Sequence, residues 1–185
     1  NMFRKLLVSL AEIVEVAVIA LVAVFLIRSY LVQPFLVSGN SMVPTFKNGD
    51  YLLIDELSYH FRTPYRGEVT VFRYPQNEST FFIKRIIGLP GERVKIQDNV
   101  ITVYNEEFPN GKIITEAYLG DNLITSGSTD VQMKVGEYFV LGDNRLFSYD
   151  SRNWGILPKR DIVGLVRLRL WPPRSIEAFA APAYQ

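Results

Sequence analysis

A chain of 185 residues, 48% of them apolar, is sized for one domain, or for one domain plus a membrane anchor, and can bury a core. The formal net charge is only +1 and the basic residues are scattered, which argues against the concentrated basic face that binds nucleic acid. With no cysteine and one histidine, the chain can form no disulfide, thiolate nucleophile or cysteine-based zinc site, so neither a metal nor another cofactor is predicted.

The amino-terminal part of the chain carries a long apolar run. Residues 6–27, LLVSLAEIVEVAVIALVAVFLI, contain only three polar side chains, Ser9, Glu12 and Glu15. As an α-helix the run would measure roughly 33 Å, enough to cross a hydrocarbon layer of about 30 Å. We therefore predict one transmembrane helix, with a buried soluble helix and a cleaved signal peptide as alternatives. The sequence RSYLVQPF that follows lacks a small-x-small cleavage pattern, which favours the anchor.

Charges near the two ends of this run predict its orientation. Arg4 and Lys5 precede it and Arg28 alone follows it. The positive-inside rule then puts the amino terminus in the cytoplasm and the rest of the chain on the outer face of the plasma membrane. Glu12 and Glu15 share one helix face and would be costly in hydrocarbon, so an alternative register begins beyond them.

The remaining chain has short apolar runs rich in Val, Ile, Phe and Tyr, separated by turn residues, which is typical of strands. We predict a mainly β protein in which residues 1–32 form the anchor and its cytoplasmic flank, 33–171 one β-rich domain, and 172–185 a loose tail. Asp98-Asn99 predicts a tight hairpin turn, and the polar residues 105–135 predict an exposed connection. The candidate strands are residues 51–55, 68–74, 81–87, 93–97, 100–104, 137–141 and 162–168.

One sharply placed serine, Ser41 in SGNSMVPT, is a candidate nucleophile, and two residues are candidate bases. His60, the only histidine, would be needed for a Ser-His-Asp triad, although its neighbours do not favour that role. Lys84 in TFFIKRIIGLPGE alternates with Phe82 and Ile86, and burial among such neighbours would lower its pKa far enough to make a neutral amine available. The alternative is an edge-strand lysine whose ammonium group reaches water.

Four motifs occur together in this chain: SGNSMVPTFKNGDYLL, RGEVTVFRYP, FFIKRIIGLPGE and YFVLGDNRLFSYDSRNWG. In order and character they resemble the conserved boxes of bacterial type I signal peptidases, from the anchor to about residue 170. The resemblance implies a transmembrane helix followed by a single β-rich catalytic domain of the signal-peptidase type. It also implies a serine endopeptidase in which Ser41 is the nucleophile and Lys84 the general base.

The same resemblance implies four supporting residues, and a departure from the family pattern gives Gly39 as a fifth. Ser148 matches a serine whose hydroxyl orients the lysine amine, Asp150 and Arg152 match an ion pair beside the site, and Asp143 matches another supporting carboxylate. A neutral hydroxyl suits a base that must stay uncharged, whereas a carboxylate in contact would favour the ammonium form. Some family members carry a serine in the oxyanion hole where this chain has Gly39, so we expect backbone N–H groups to form the hole here.

A substrate groove beside the nucleophile is also implied by the resemblance. It would accept small side chains at the first and third positions before the scissile bond, because its walls offer no partner to a buried polar group. Each of the matched apolar positions could equally belong to the ordinary core. These positions are Phe35, Val37, Met42, Phe46, Leu52, Val71, Phe82 and Ile83.

The resemblance implies that the substrates are signal peptides of exported preproteins, cleaved after small-x-small sites at the lipid bilayer. The secretion machinery is a further candidate partner, and nucleic acid is not. Two rival functions remain open from the sequence. One is a catalytically silent, membrane-tethered β-domain that binds peptides, and the other is a self-cleaving Ser/Lys regulator, which would need a DNA-binding or effector domain.

Overall fold

The structure is a computed structural model that describes residues 2–30, 32–120 and 124–182, with side chains for 8–24, 33–120 and 124–182. The helices in these residues are α1 (Met2–Tyr30), α2 (Ser58–Phe61) and α3 (Ser151–Trp154), and 3₁₀ turns lie at Ala117–Leu119, Lys159–Asp161 and Pro173–Ser175. The strands are β1 (Val32–Leu36), β2 (Tyr51–Asp55), β3 (Val69–Tyr74), β4 (Asn77–Gly88), β5 (Arg93–Gln97), β6 (Val100–Tyr104), β7 (Lys112–Ile113), β8 (Thr129–Gln132), β9 (Glu137–Leu141), β10 (Leu157–Pro158), β11 (Ile162–Trp171) and β12 (Glu177–Ala178).

The strands form two antiparallel sheets. The larger has the order β1-β2-β11-β3-β4-β9-β10, with β12 added to β11, and the smaller has the order β7-β6-β5-β8. Apolar residues of β5 and β6 pack against Ile87 of β4 and against Phe139 and Leu141 of β9. The smaller sheet therefore covers one end of the larger one, and β1 stays at the larger sheet's edge.

The predicted β-rich fold is confirmed, and the strands with clear apolar patterns have the predicted bounds. β2, β5, β6 and β9 begin and end where the sequence predicts, while β4 and β11 are longer. Asp98 and Asn99 have φ values of 52° and 64°, as the predicted two-residue hairpin between β5 and β6 requires. The sequence does not predict five further strands, β1, β7, β8, β10 and β12.

The stretch 105–135 is not simply an exposed connection. It contains β7 and β8, and Ile114 and Met133 lie in the core beneath the smaller sheet. Strands of two and four residues at a sheet edge give too few alternations to be recognised in the sequence.

Helix α1 presents apolar side chains to its surroundings along its described length. Each of Val8, Leu10, Ile13, Val16 and Leu21 is more than half exposed. Among the described residues, no helix combines the length and apolarity needed to cross a membrane. The side chains of Arg4, Lys5 and Arg28, used above to predict orientation, lie outside the described side chains.

The carboxyl-terminal residues differ from the predicted loose tail. β12 pairs with β11, and the Phe179 ring lies 4.5 Å from that of Phe46, measured between centroids. The tail prediction is wrong for residues 172–179, because an aromatic side chain there completes the core. Residues 183–185 lie outside the described part of the chain.

Candidate active site

Ser41 and Lys84 meet in the folded chain although 43 positions separate them. Ser41 lies in the turn after β1, and Lys84 lies in β4. The Lys84 Nζ donates a hydrogen bond to Ser41 Oγ at 2.8 Å and another to the Ile83 carbonyl oxygen at 2.9 Å. The amine is therefore close enough to exchange a proton with this hydroxyl.

Burial controls the charge of the Lys84 amine. The residue is only 3% exposed, and Nζ lies 5.1 Å from the centre of the Phe82 ring. Desolvation lowers the pKa of Lys84 from 10.5 to about 8, while the charges of Asp150 and Asp143 act in the opposite direction. About half of the amines are therefore neutral at pH 8, so the predicted alternative of an ammonium group in water does not apply.

Backbone contacts fix the turn that carries Ser41. Gly39 has φ +96°, a conformation that glycine adopts without strain, and its N–H donates to Asn48 Oδ1 at 2.9 Å. The Asn144 backbone N–H donates to the Ser41 carbonyl oxygen, and Asn144 Nδ2 donates to the Asn40 carbonyl oxygen, both at 3.0 Å. Sequence reasoning missed Asn48 and Asn144, since neither position has a signal of its own. The Gly39 N–H is occupied by Asn48, so it is not a free donor for an oxyanion.

Both supporting carboxylates are buried and paired with arginines. Asp143 accepts hydrogen bonds from Arg85 Nε at 2.8 Å and Arg85 Nη2 at 2.6 Å, and from Thr45 Oγ1 at 2.5 Å. Arg152 binds both oxygens of Asp150 at 2.9 Å, which is the ion pair that the sequence predicts. These bidentate contacts fix the positions of both carboxylates.

Asp150 also organises the chain around it. It caps the amino terminus of α3 in a capping box with Asn153, and its Oδ2 accepts the Gly142 N–H at 3.0 Å. Gly142 in turn lies against both serines of the site. A Cβ at this position would lie 2.1 Å from Ser148 Oγ and 2.5 Å from the Ser41 carbonyl oxygen.

Ser148 Oγ is buried and forms no hydrogen bond with any described residue. The hydrogen bond to the Lys84 amine that the resemblance implies is therefore not formed in this state. Leaving a buried hydroxyl unpaired is unfavourable by about 1–3 kcal/mol. The unpaired Ser148 hydroxyl lies beside the Ser41 backbone, so its position calls for a functional explanation.

A groove of about 330 Å³ opens beside Ser41 and Lys84. Five of the eight predicted pocket residues line it: Phe35, Val37, Leu52, Phe82 and Ile83. The other three, Met42, Phe46 and Val71, do not, because their side chains are buried in the core behind the groove.

Several residues that line the groove were not predicted. They come from β1, the start of β4 and the loop after β9, and they include Leu36, Phe81, Phe147 and Tyr149. The rings of Phe35 and Phe81 meet edge to face at 5.4 Å and close one end of the groove. The pairing of β1 with β2, which sequence reasoning did not predict, creates this wall.

His60 does not contribute to this site. It is exposed, its Nδ1 contacts the Glu56 carbonyl oxygen at 2.9 Å, and it lines a different cavity together with Lys159. The alternative of a triad through His60 is therefore wrong.

Comparison with known proteins identifies relatives along most of the chain. The family model described as signal peptidase, peptidase S26, matches residues 10–171. A probable signal peptidase I-1 of Synechocystis is 33% identical over 172 residues, covering 87% of this chain and 82% of the relative. Signal peptidase I P of Bacillus subtilis subsp. natto is 34% identical over 169 residues, covering 86% and 88%. A signal peptidase I crystal structure from Enterococcus faecalis gives a TM-score of 0.48 at 30% identity, covering 56% of this chain and 97% of that one.

Proposed function

The chain belongs to the signal peptidase family, peptidase S26, and from this premise we propose that Ser41 and Lys84 cleave signal peptides from exported preproteins. Ser41 is the nucleophile and neutral Lys84 is the general base. The observation that carries this proposal is the 2.8 Å contact between a buried amine and a serine hydroxyl at the end of an apolar groove. The proposed mechanism uses no metal or other cofactor.

The reaction is acyl transfer in two steps. Lys84 Nζ takes the proton of Ser41 as Oγ attacks the scissile carbonyl carbon, and the resulting ammonium group gives that proton to the leaving amine. Water then attacks the acyl-enzyme, with Lys84 again as the base, and restores Ser41. The oxyanion is stabilised by backbone N–H groups, among them that of Ser41 itself.

Ser148 supports the base while Ser41 is acylated. In that intermediate Ser41 Oγ is esterified and is a poorer partner for the amine, so Lys84 needs another hydroxyl to hold it in place. The unpaired Ser148 Oγ lies beside the Ser41 backbone across Gly142 and is available for this contact. A hydroxyl can fill this role without adding a charge that would favour the ammonium form.

The groove selects substrates with small side chains before the scissile bond. Its walls are mainly aliphatic and aromatic, and Phe82 and Ile83 of β4 lie directly next to Lys84. A polar substrate side chain would lose its hydration there without gaining a partner, whereas alanine would not.

The chain works at a membrane surface, held there by α1. Apolar side chains on α1 are more than half exposed between Val8 and Val24, so a lipid environment would bury them. Our proposal is a single-pass anchor with its amino terminus in the cytoplasm and the catalytic domain on the outer face of the plasma membrane. Phe147, exposed at the groove, and its exposed neighbour Leu146 would then contact the lipid headgroups. Signal peptides and the bilayer are the proposed partners, with the secretion machinery as a further one.

Cleavage of a preprotein with an Ala-x-Ala site by the full chain in detergent tests the catalytic proposal. We expect Ser41→Ala and Lys84→Arg to abolish cleavage, because an arginine side chain stays protonated and cannot accept the serine proton. Ser79→Ala and Lys134→Arg, two changes at exposed positions, are the matched controls and should cleave normally. Undiminished cleavage by Ser41→Ala or Lys84→Arg would refute the dyad, and peptide binding without cleavage by the unchanged chain would favour the silent β-domain.

Flotation with liposomes and resistance to alkaline extraction test the proposed location of the chain in the membrane. The full chain should float with the vesicles and remain in the membrane fraction. Protease added outside sealed, right-side-out vesicles should degrade the catalytic domain. Release of the chain by alkaline carbonate would contradict the anchor.

A further inference from the structure

The carboxyl-terminal segment, residues 172–182, packs against the loop that carries the nucleophile. We call residues 39–50 the nucleophile loop. The Phe179 ring contacts the Phe46 ring at 4.5 Å with the two planes inclined at 55°, and it packs against the core cluster that contains Met42. The Phe179 N–H donates to the Arg167 carbonyl oxygen at 2.8 Å, which fixes the segment to β11.

Arg169 connects the same segment to the same loop through its guanidinium group. Its Nη1 donates to the Thr45 carbonyl oxygen at 2.9 Å, and its Nε and Nη2 donate to the Ser175 carbonyl oxygen and Glu177 Oε2, both at 2.7 Å. The guanidinium carbon lies 5.3 Å from the centre of the Phe179 ring. The Arg169 side chain is only 13% exposed, so its contacts with Thr45 and Ser175 are partly shielded from water, whereas Glu177 is 57% exposed.

Two short connections lead from these contacts to the reacting atoms. The Phe46 N–H donates to the Met42 carbonyl oxygen at 2.8 Å, so the loop between Ser41 and Phe46 is one tight turn. The Thr45 hydroxyl donates to Asp143, which is ion-paired with Arg85, the neighbour of Lys84 in β4. A shift of the loop at Phe46 would therefore displace Ser41 relative to the amine.

We propose that the carboxyl-terminal segment is a positioning element of the active site, in which Phe179 and Arg169 hold the nucleophile loop in register with Lys84. Neither residue lines the groove, so both are positioning residues. This inference rests on the proposed function, because it assumes that Ser41 is the nucleophile. It assigns a positioning role to Phe179, which follows the part of the chain matched by the family model, and to Arg169, which lies just before the end of that part at residue 171.

Phe179→Ala in the full chain tests the proposal, with kcat and KM measured separately on a preprotein peptide. We expect kcat to fall by about 10- to 100-fold, since a misplacement of about 1 Å between reacting groups has effects of this size. KM should change less than about twofold, because the groove walls in β1, β2 and β4 are untouched. Phe179→Leu, which keeps an apolar side chain in the site, should recover most of kcat.

Ile176→Ala is the matched control. Ile176 is an apolar residue of the same segment but is 64% exposed, so its loss should leave kcat unchanged. Urea unfolding of each variant gives the fraction of folded protein. If Phe179→Ala does not fold, Arg169→Lys takes its place, because lysine cannot make the three separate contacts of the guanidinium group.

The outcomes separate this inference from the proposed function. If the unchanged chain cleaves and the Phe179→Ala variant has kcat within twofold of it, the positioning role is refuted while the dyad stands. If the activity of a variant falls only in proportion to its fraction of folded protein, the positioning role is also refuted. If the unchanged chain does not cleave, the proposed function itself fails. A lower kcat in folded Phe179→Ala, normal KM and recovery in Phe179→Leu would support the inference.

Discussion

Replacing Lys84 with methionine should stabilise the protein at neutral pH. The pKa of Lys84 is 10.5 in an unfolded chain and about 8 in the folded one, a difference that corresponds to about 3 kcal/mol. At pH 7 the folded chain must hold a buried ammonium group, which opposes folding by about this amount. Methionine removes that opposition but also removes the hydrogen bonds from Nζ to Ser41 Oγ and the Ile83 carbonyl oxygen, each worth about 1 kcal/mol. We expect a net stabilisation of about 1–2 kcal/mol.

The pH dependence of the stability difference between Lys84→Met and the unchanged chain distinguishes this electrostatic explanation from better packing of the methionine side chain. Between pH 8 and pH 10.5 the unfolded chain binds the lysine proton and the folded chain does not, so the stability of the unchanged protein rises with pH. The advantage of Lys84→Met should therefore shrink at about 1.4 kcal/mol per pH unit above pH 8, and because it is only about 1–2 kcal/mol it should reverse near pH ~9.

Urea unfolding of the full chain in non-ionic detergent, followed by the fluorescence of the half-buried Trp154, measures this difference. Lys134→Met, which removes an exposed lysine, is the control and should show no such trend. A stability difference between Lys84→Met and the unchanged chain that stays constant from pH 7 to pH 10 would refute the reasoning.

Two further predictions concern catalysis. The value of kcat/KM should rise with pH and level off above an apparent pKa of about 8, because only neutral Lys84 can accept the serine proton. Rates measured from pH 6 to 10 check this, and a flat profile would count against a lysine base. Gly142→Ala should lower kcat by at least about 100-fold, since its Cβ would displace both Ser148 and the Ser41 backbone. Ser79→Ala, a change at an exposed position, is the control, and similar kcat values in the two variants would refute the steric argument.

The sequence predicts those parts of the fold in which local pattern and tertiary environment agree. The hairpin of β5 and β6 has alternating apolar residues and an Asp98-Asn99 turn, so its bounds follow directly. β1 contains Pro34 and lies at the sheet edge, where a residue without a backbone donor is tolerated but gives no strand signal. β12 is two residues long and exists only because β11 is beside it.

The candidate site shows the same division between local and long-range information. The sequence around Lys84 leaves a buried amine and an ammonium group that reaches water both open, and the structure has the buried amine. The contacts of Asn48 with Gly39 and of Asn144 with Ser41 could not be predicted, since they depend on how distant loops meet. Met42, Phe46 and Val71 resemble groove residues in composition, and only the folded chain shows that they point into the core.

The arginines around the site explain how the pKa of Lys84 is lowered although two carboxylates lie nearby. Each carboxylate alone would raise the pKa of Lys84 by attracting the ammonium form. Asp143 is bound by Arg85 and Asp150 by Arg152, so each negative charge is balanced by a cation that cannot lose its proton. Burial then dominates and lowers the pKa of the amine. The carboxylates can thus bind the Gly142 N–H and the Thr45 hydroxyl without disabling the base. This is a physical reason for arginine rather than lysine at positions 85 and 152.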